Sequence, residues 1–167
     1  MVLPETLPIT VQMDIYRKSE VLVFAEGSSC HGVELLGTDS MRRCYLLGRR
    51  PRLTGRFEQI LRPRAAEFSA SEGHHFIGTK YEARTTQEPI QRQGVLLFHV
   101  RELVEFFRSH GIASLSTFDE KEYFAAAEAD LWRYQNESTW PRANVRDTTS
   151  AGTMLEAFQA AKAAAID

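Results

Sequence analysis

Residues 20–37, EVLVFAEGSSCHGVELLG, join a short apolar run to a small polar knot and then to an amphipathic segment. Val21, Leu22, Val23 and Phe24 are β-branched, aliphatic or aromatic and too few for a free-standing helix, so a buried strand is expected. Gly27, Ser28 and Ser29 suit a tight turn. Helical spacing follows, with Val33 and Leu36 on one side, Leu35 nearby and Gly37 where a helix would stop. In open α/β sheets such a strand, loop and helix meet at the carboxyl edge of the strand, where free N–H groups and the positive end of a helix can hold an anion. A phosphate is the first ligand to consider.

On the N-terminal side, Pro4 and Pro8 keep the chain extended, and Val11 and Ile15 mark a short helix ending near Ser19. On the C-terminal side, Thr38 to Arg43 is polar and turn-like, and Cys44 to Leu47 reads as a second strand closed by Gly48. A helix opens at Thr54 or Gly55, carries Phe57, Ile60 and Leu61 on one side and has Pro63 just past its end; Ala65 to Ala70 is a third strand. This alternation predicts an α/β fold with a Rossmann-like parallel sheet, doubly wound, with flanking helices.

Ser71 to Gln93 reads as loop with one strand at most, around HHFIG. Val95 to Val100 is apolar, and a helix follows with Val100, Leu103, Val104 and Phe107 on one face, ending at Gly111. Thr117 and Glu120 have capping-box spacing ahead of a long helix with a Phe124, Ala127, Leu131 and Tyr134 stripe. Trp140-Pro141 breaks it, and Met154, Leu155, Phe158 and Ala161 belong to a final Ala-rich helix. The expected division is a Rossmann-like lobe over 1–115 and a helical C-terminal extension over 116–167 packing on the same domain.

The 167 residues are 43% hydrophobic and 25% charged, enough for one well-cored domain. A net charge of -2 gives no global reason to expect nucleic acid. No apolar run approaches a membrane span, and the opening MVLPETLPIT lacks the features of a secretory signal, so a cytoplasmic protein without a transmembrane segment is expected. Cys30 and Cys44, the only cysteines, suit a reducing compartment and have no metal-ligand spacing around them; both are expected to be buried thiols.

Glycine at 27 lets the backbone approach a phosphate, and the hydroxyls of Ser28 and Ser29 add donors, although the same turn also suits an ordinary capped connection. His31 falls in the first helical turn, where a neutral imidazole can donate to a ligand oxygen, or simply cap or pack. Glu26 follows the strand directly and suits a general base, an acceptor for a sugar hydroxyl or a loop charge. Nucleophilic catalysis through Ser28, Cys30 and His31 ranks well below phosphate binding, because the Gly-x-Ser-x-Gly elbow is absent. Between residues 42 and 64, eight arginines face the single acid Glu58, a local charge of +7. Arg49 and Arg50 follow the second strand and are expected at the carboxyl edge beside the Gly-Ser loop, where guanidinium forks suit a diphosphate. Arg56, Arg62 and Arg64 are expected on a solvated helix face. Without interleaved aromatics, nucleic acid is not expected as a partner. His74 and His75 are adjacent and read as a loop pair, His99 as a core-edge histidine and His110 as a helix C-terminus; no metal site is expected.

VLVFAEGSSCHGVELLG followed by YLLGRRP resembles the C-terminal part of glycosyltransferase family 61, the capsular-polysaccharide-biosynthesis type, whose bacterial members show a pattern close to FAEGSALH. The likeness is densest from Ile15 to Arg64, about a third of the chain. It implies one lobe of a two-lobed GT-B enzyme that transfers a sugar from a nucleotide-sugar donor to a glycan or lipid-linked glycan acceptor, with inversion and without a protein-bound metal or other cofactor. By position, Gly27, Ser28 and Ser29 meet the donor diphosphate, and His31 and Glu26 lie near the leaving group or sugar. Ser29 and Cys30 stand where the family has a small and then an aliphatic residue. A GT-B enzyme needs two such lobes, so the resemblance implies that a second lobe or another copy completes the site. The alternative is a non-catalytic or truncated homologue that assembles with a polysaccharide-synthesis partner through its C-terminal helices.

Overall fold

The computed structural model describes residues 6–27, 29–50, 54–112, 118–137, 145–147 and 151–166. The chain is mixed α/β and divides into two compact units, 1–72 and 73–167, whereas the sequence placed its division at 115.

The first unit runs α1 (Ile9–Lys18), β1 (Val21–Ala25), α2 (Ser29–Gly32), β2 (Met41–Leu47), α3 (Thr54–Leu61) and β3 (Ala65–Ser71). The three strands form one parallel sheet in the order β1-β2-β3, with Phe24 opposite Leu46 and Cys44 opposite Phe68. The order never reverses among the described strands, so the topological switch of a doubly wound sheet is not found here. Right-handed crossovers in a single direction put successive helices on one face of such a sheet. Accordingly Met13 and Tyr16 of α1, Cys30 of α2, Val33 and Leu36 after it, and Phe57 and Leu61 of α3 share one core with Phe24, Cys44 and Leu46. Tyr16 meets Phe24 edge to face at 5.4 Å, a favoured aromatic geometry. The opposite face carries Val23, which is 46% exposed, and Tyr45, whose hydroxyl donates to Glu67 Oε1 at 2.8 Å. Burial, then the Glu67 carboxylate, raise the Tyr45 phenol above its ordinary value.

Two expected boundaries move. β2 starts at Met41, not Cys44, because Arg42 and Arg43 are strand residues whose guanidiniums reach Glu20 at 2.7 and 3.6 Å. Asp39 instead makes the turn, at φ 51, a left-handed conformation that aspartate tolerates. Past α3, Pro63 lies inside a 3-10 turn, Arg62–Arg64. Arg64 is not on a solvated face: its Nη1 donates to Ile60 O at 2.6 Å and its Nε to Leu36 O at 3.2 Å, satisfying carbonyls that the helix end leaves open. Arg62 pairs with Glu58 one turn back and lies 5.0 Å over the Phe68 ring.

The second unit runs β4 (His74–Gly78), β5 (Tyr81–Ala83), β6 (Val95–Phe98), α4 (Val100–Ser109), α5 (Glu120–Glu137), β7 (Val145–Asp147) and α6 (Ala151–Ile166). Its strands pair antiparallel, β4 with β6 and β5 with β7. His74 and His75 therefore belong to a strand, not a loop. Ile77, Leu97, Val100, Phe124, Leu131, Met154, Phe158 and Ala161 form the core, with Ala127 and Tyr134 packed against it. The stripe read along α5 is thus its inward face. Thr117 lies outside the described residues; Asp119 Oδ1 accepts the Glu122 N–H at 3.0 Å and caps α5. Gly111, at φ 65, ends α4 with Ile112 N donating to Phe107 O at 3.0 Å, an αL cap that glycine adopts without strain.

Tyr134 ties α5 to the connections around it. Its hydroxyl donates to Gln93 O at 2.6 Å and accepts from Lys80 N at 3.2 Å, and the Thr79 hydroxyl lies 3.1 Å away. Thr79 Oγ1 in turn accepts the Tyr81 N–H at 3.1 Å. Tyr134→Phe removes the shared oxygen and leaves these groups short of a partner, an expected loss of about 2 kcal/mol. Urea unfolding checks it, with the midpoint falling and the slope unchanged.

Candidate functional site

The parallel register of β1 and β2 brings the residues that follow them together. Ala25 is opposite Leu47, and the Glu26 N–H donates to Leu47 O at 2.9 Å, which carries the pairing one residue past β1. Gly48 N donates to Ser71 O at 2.7 Å, so the end of β2 is fixed on its other side to the end of β3. Glu26 then turns its side chain toward the loop after β2. Oε2 accepts from the backbone N–H groups of Arg49 at 2.8 Å and Arg50 at 3.1 Å, and Oε1 accepts from Arg50 Nε at 2.7 Å.

The Glu26 side chain is 0% exposed and that of Arg50 is 25% exposed. A buried carboxylate is tolerated only when it is paired and hydrogen-bonded, and three donors meet that demand. Glu26 is therefore a bracket that fixes the backbone at 49–50 and sets the plane of the Arg50 guanidinium. A general base needs an oxygen open to its substrate, and both oxygens of Glu26 are occupied. Arg49 contributes its backbone N–H to the bracket and is itself exposed.

The structure brings Glu26, Arg49 and Arg50 together, with Gly27 next in the chain. Ser28 lies outside the described residues, and Ser29 is the first residue of α2. That helix is a single turn, continued by a 3-10 turn over Val33–Leu35, so it is shorter than the spacing of Val33 and Leu36 predicts. Its dipole is correspondingly small, and the Cys30 N–H is spent on Gly27 O at 3.1 Å. The positive charge at this edge comes from Arg49 and Arg50 more than from the helix end.

His31 stands elsewhere. Its Nδ1 lies 2.7 Å from Glu34 Oε1, and its ring is 5.5 Å from that of Phe57. Among the described residues no hydrogen bond or ion pair joins it to Glu26, Arg49 or Arg50. Cys30 is fully buried, with Sγ 3.7 Å from Ala25 O, and burial pushes the Cys44 thiol up to about 12. Neither thiol presents a nucleophile to solvent.

The +7 window is largely spent on the fold: Arg42 and Arg43 on Glu20, Arg50 on Glu26, Arg62 on Glu58 and Arg64 on two carbonyls. The bracket went unread in the sequence because its partners are 24 residues apart. Aligning VLVFAE with RCYLLG in parallel register would have placed them side by side. Among the described residues no group of three or more His, Cys, Asp or Glu is placed to hold a metal ion. Among the same residues no helix is long and apolar enough to cross a membrane. Comparison with protein-family models, curated proteins and solved structures gives no match.

Proposed function

We propose that the first unit is a glycosyltransferase-like, Rossmann-like lobe of GT-B type that binds the diphosphate of a nucleotide-sugar donor at the carboxyl edge of its sheet, in the service of polysaccharide biosynthesis. The observation that carries this reading is the Glu26 bracket, which holds Arg50 in one plane beside an exposed Arg49 and next to Gly27. A preorganised guanidinium loses little freedom on meeting a diphosphate, and its fork geometry suits adjacent phosphate oxygens. Stabilising a departing nucleoside diphosphate is electrostatic work that such groups perform without a metal. In this reading Arg49, Arg50 and the Gly27, Ser28 and Ser29 turn contact the diphosphate, and Glu26 is a positioning residue. His31, whose side chain is exposed, is the remaining candidate for a role toward the sugar. A glycan or lipid-linked glycan is the acceptor, met in the cytoplasm and with a second lobe or another copy completing the site.

Calorimetric titration of the chain with a panel of nucleotide sugars and free nucleoside diphosphates tests the proposal. Heat of binding is expected for at least one; no heat for any of them contradicts it. A second reading, a non-catalytic module that assembles with a polysaccharide-synthesis partner through its C-terminal helices, is favoured by Trp132, 61% exposed on α5, and Leu155, 45% exposed on α6. Release of nucleotide by the isolated chain in a turnover assay would exclude that module reading.

A further inference from the structure

The second unit holds a histidine pair that the diphosphate site does not use. In the β4–β6 ladder His75 is opposite Leu97, so the residue two beyond Leu97, His99, is its diagonal neighbour on the same face. The two imidazoles stack with centroids 3.9 Å apart and planes 26° from parallel. His99 also precedes α4, and its Nδ1 lies 2.9 Å from Oε1 of Glu102 in the first turn of that helix. The His99 N–H donates to Gly73 O at 3.1 Å. Gly73 lies against the Glu102 side chain. One stack thus links β4, β6 and the start of α4.

We propose that this stack is an acid-operated catch: with His75 neutral it holds the end of the β4–β6 ribbon to the start of α4, and protonation of His75 releases it. A proton on His75 puts a charge into a half-buried stack, at a desolvation cost that the neutral ring does not carry. The charges acting on His75 are those of His99, Glu102 and its neighbour His74. Helix α6, which also packs on β4, turns Met154, Phe158 and Ala161 inward; its Lys162 lies over the Phe124 ring and its Glu156 is exposed. Glu102 draws a proton toward the cluster, but its carboxylate is already bonded to His99. Among the described residues, His74 Nδ1 and His99 Nε2 are buried without a hydrogen-bond partner. Burial first, and then His99, hold His75 below its ordinary value of 6.5.

The sign follows. A histidine whose folded value is depressed binds fewer protons folded than unfolded, so the stability it lends is complete above 6.5 and is lost as pH falls below it. Thermal unfolding of the full chain between about pH 7.5 and pH 5 is therefore expected to show a loss of about 4 °C, which His75→Phe, keeping an aromatic ring on the stack, abolishes. Equal pH slopes in the two proteins would overturn the proposal. Should His75→Phe fail to fold, NMR titration of the wild-type His75 ring decides: a midpoint below 6.5, with loss of amide protection at His99, supports the catch, and a midpoint at or above 6.5 overturns it.

Discussion

Glu26→Gln is expected to destabilise the protein by about 3 kcal/mol, although the side chain keeps its shape. The carboxylate faces donors on both oxygens: two backbone N–H groups on Oε2 and the Arg50 Nε on Oε1. An amide has one acceptor and one donor end. In one orientation its NH2 meets the N–H groups of Arg49 and Arg50, and in the other it meets the guanidinium. Either way a buried donor faces a donor, and at least one buried group loses its partner. The charge of Arg50 is also left without its counterion, although its 25% exposure lets water screen part of that loss. Urea unfolding of the full chain reads the effect, and a change below about 0.5 kcal/mol would show that the bracket contributes little. The same substitution is expected to weaken diphosphate binding, because the 49–50 backbone and the Arg50 plane are no longer fixed.

Phe158→Ala is expected to cost about 4 kcal/mol, the largest loss for a single apolar side chain among the described residues of the second unit. Phe158 is among the largest fully buried side chains and shares its core with Ile77, Leu97, Phe124, Leu131 and Met154. Because α6 packs on β4, the cavity would open beneath the β4–β6 ribbon, where Gly78 at φ 140 already brings the backbone close to Met154. Partial collapse of these neighbours would reduce the cost, as happens when a site can relax around a deleted ring. Phe158→Leu, which keeps most of the volume, should cost less than half as much in the same denaturation experiment. Equal losses for the two variants would show that shape and not volume decides the packing here.

The first unit was largely readable because its apolar runs are local. Val21 to Phe24, Phe57 to Leu61 and Ala65 to Ala70 each name their element, and those elements form. Arg42 and Arg43 hid the start of β2, since a polar pair reads as turn unless Glu20 is known to lie within reach. The positive window is likewise incomplete on its own: Glu20 and Glu26, which pair with Arg42, Arg43 and Arg50, lie outside it in the sequence and beside it in the fold. In the second unit the helices were legible from their stripes, but the antiparallel pairing was not. β5 and β7 are three residues each and come from distant parts of the chain. β4 carries two histidines, and its fellow β6 resembles a parallel core strand in sequence. The division at 72/73 has no Pro-rich or Ser-rich linker to announce it. At the candidate site the residue types were visible, whereas their roles depended on register. From its position Glu26 suits a general base, an acceptor for a sugar hydroxyl or a loop charge, and it becomes a bracket once Ala25 is set opposite Leu47.

The proposed diphosphate site is tested most directly by titrating a nucleoside diphosphate into the wild-type chain and into Arg49→Ala. Arg49 is exposed and its side chain is outside the Glu26 bracket, so the substitution removes the proposed ligand contact while its backbone N–H still meets Glu26. The account predicts saturable binding to the wild type and at least roughly tenfold weaker binding to the variant, the loss of one charge-assisted contact. Equal affinity in the two proteins, or no binding to either, would contradict it.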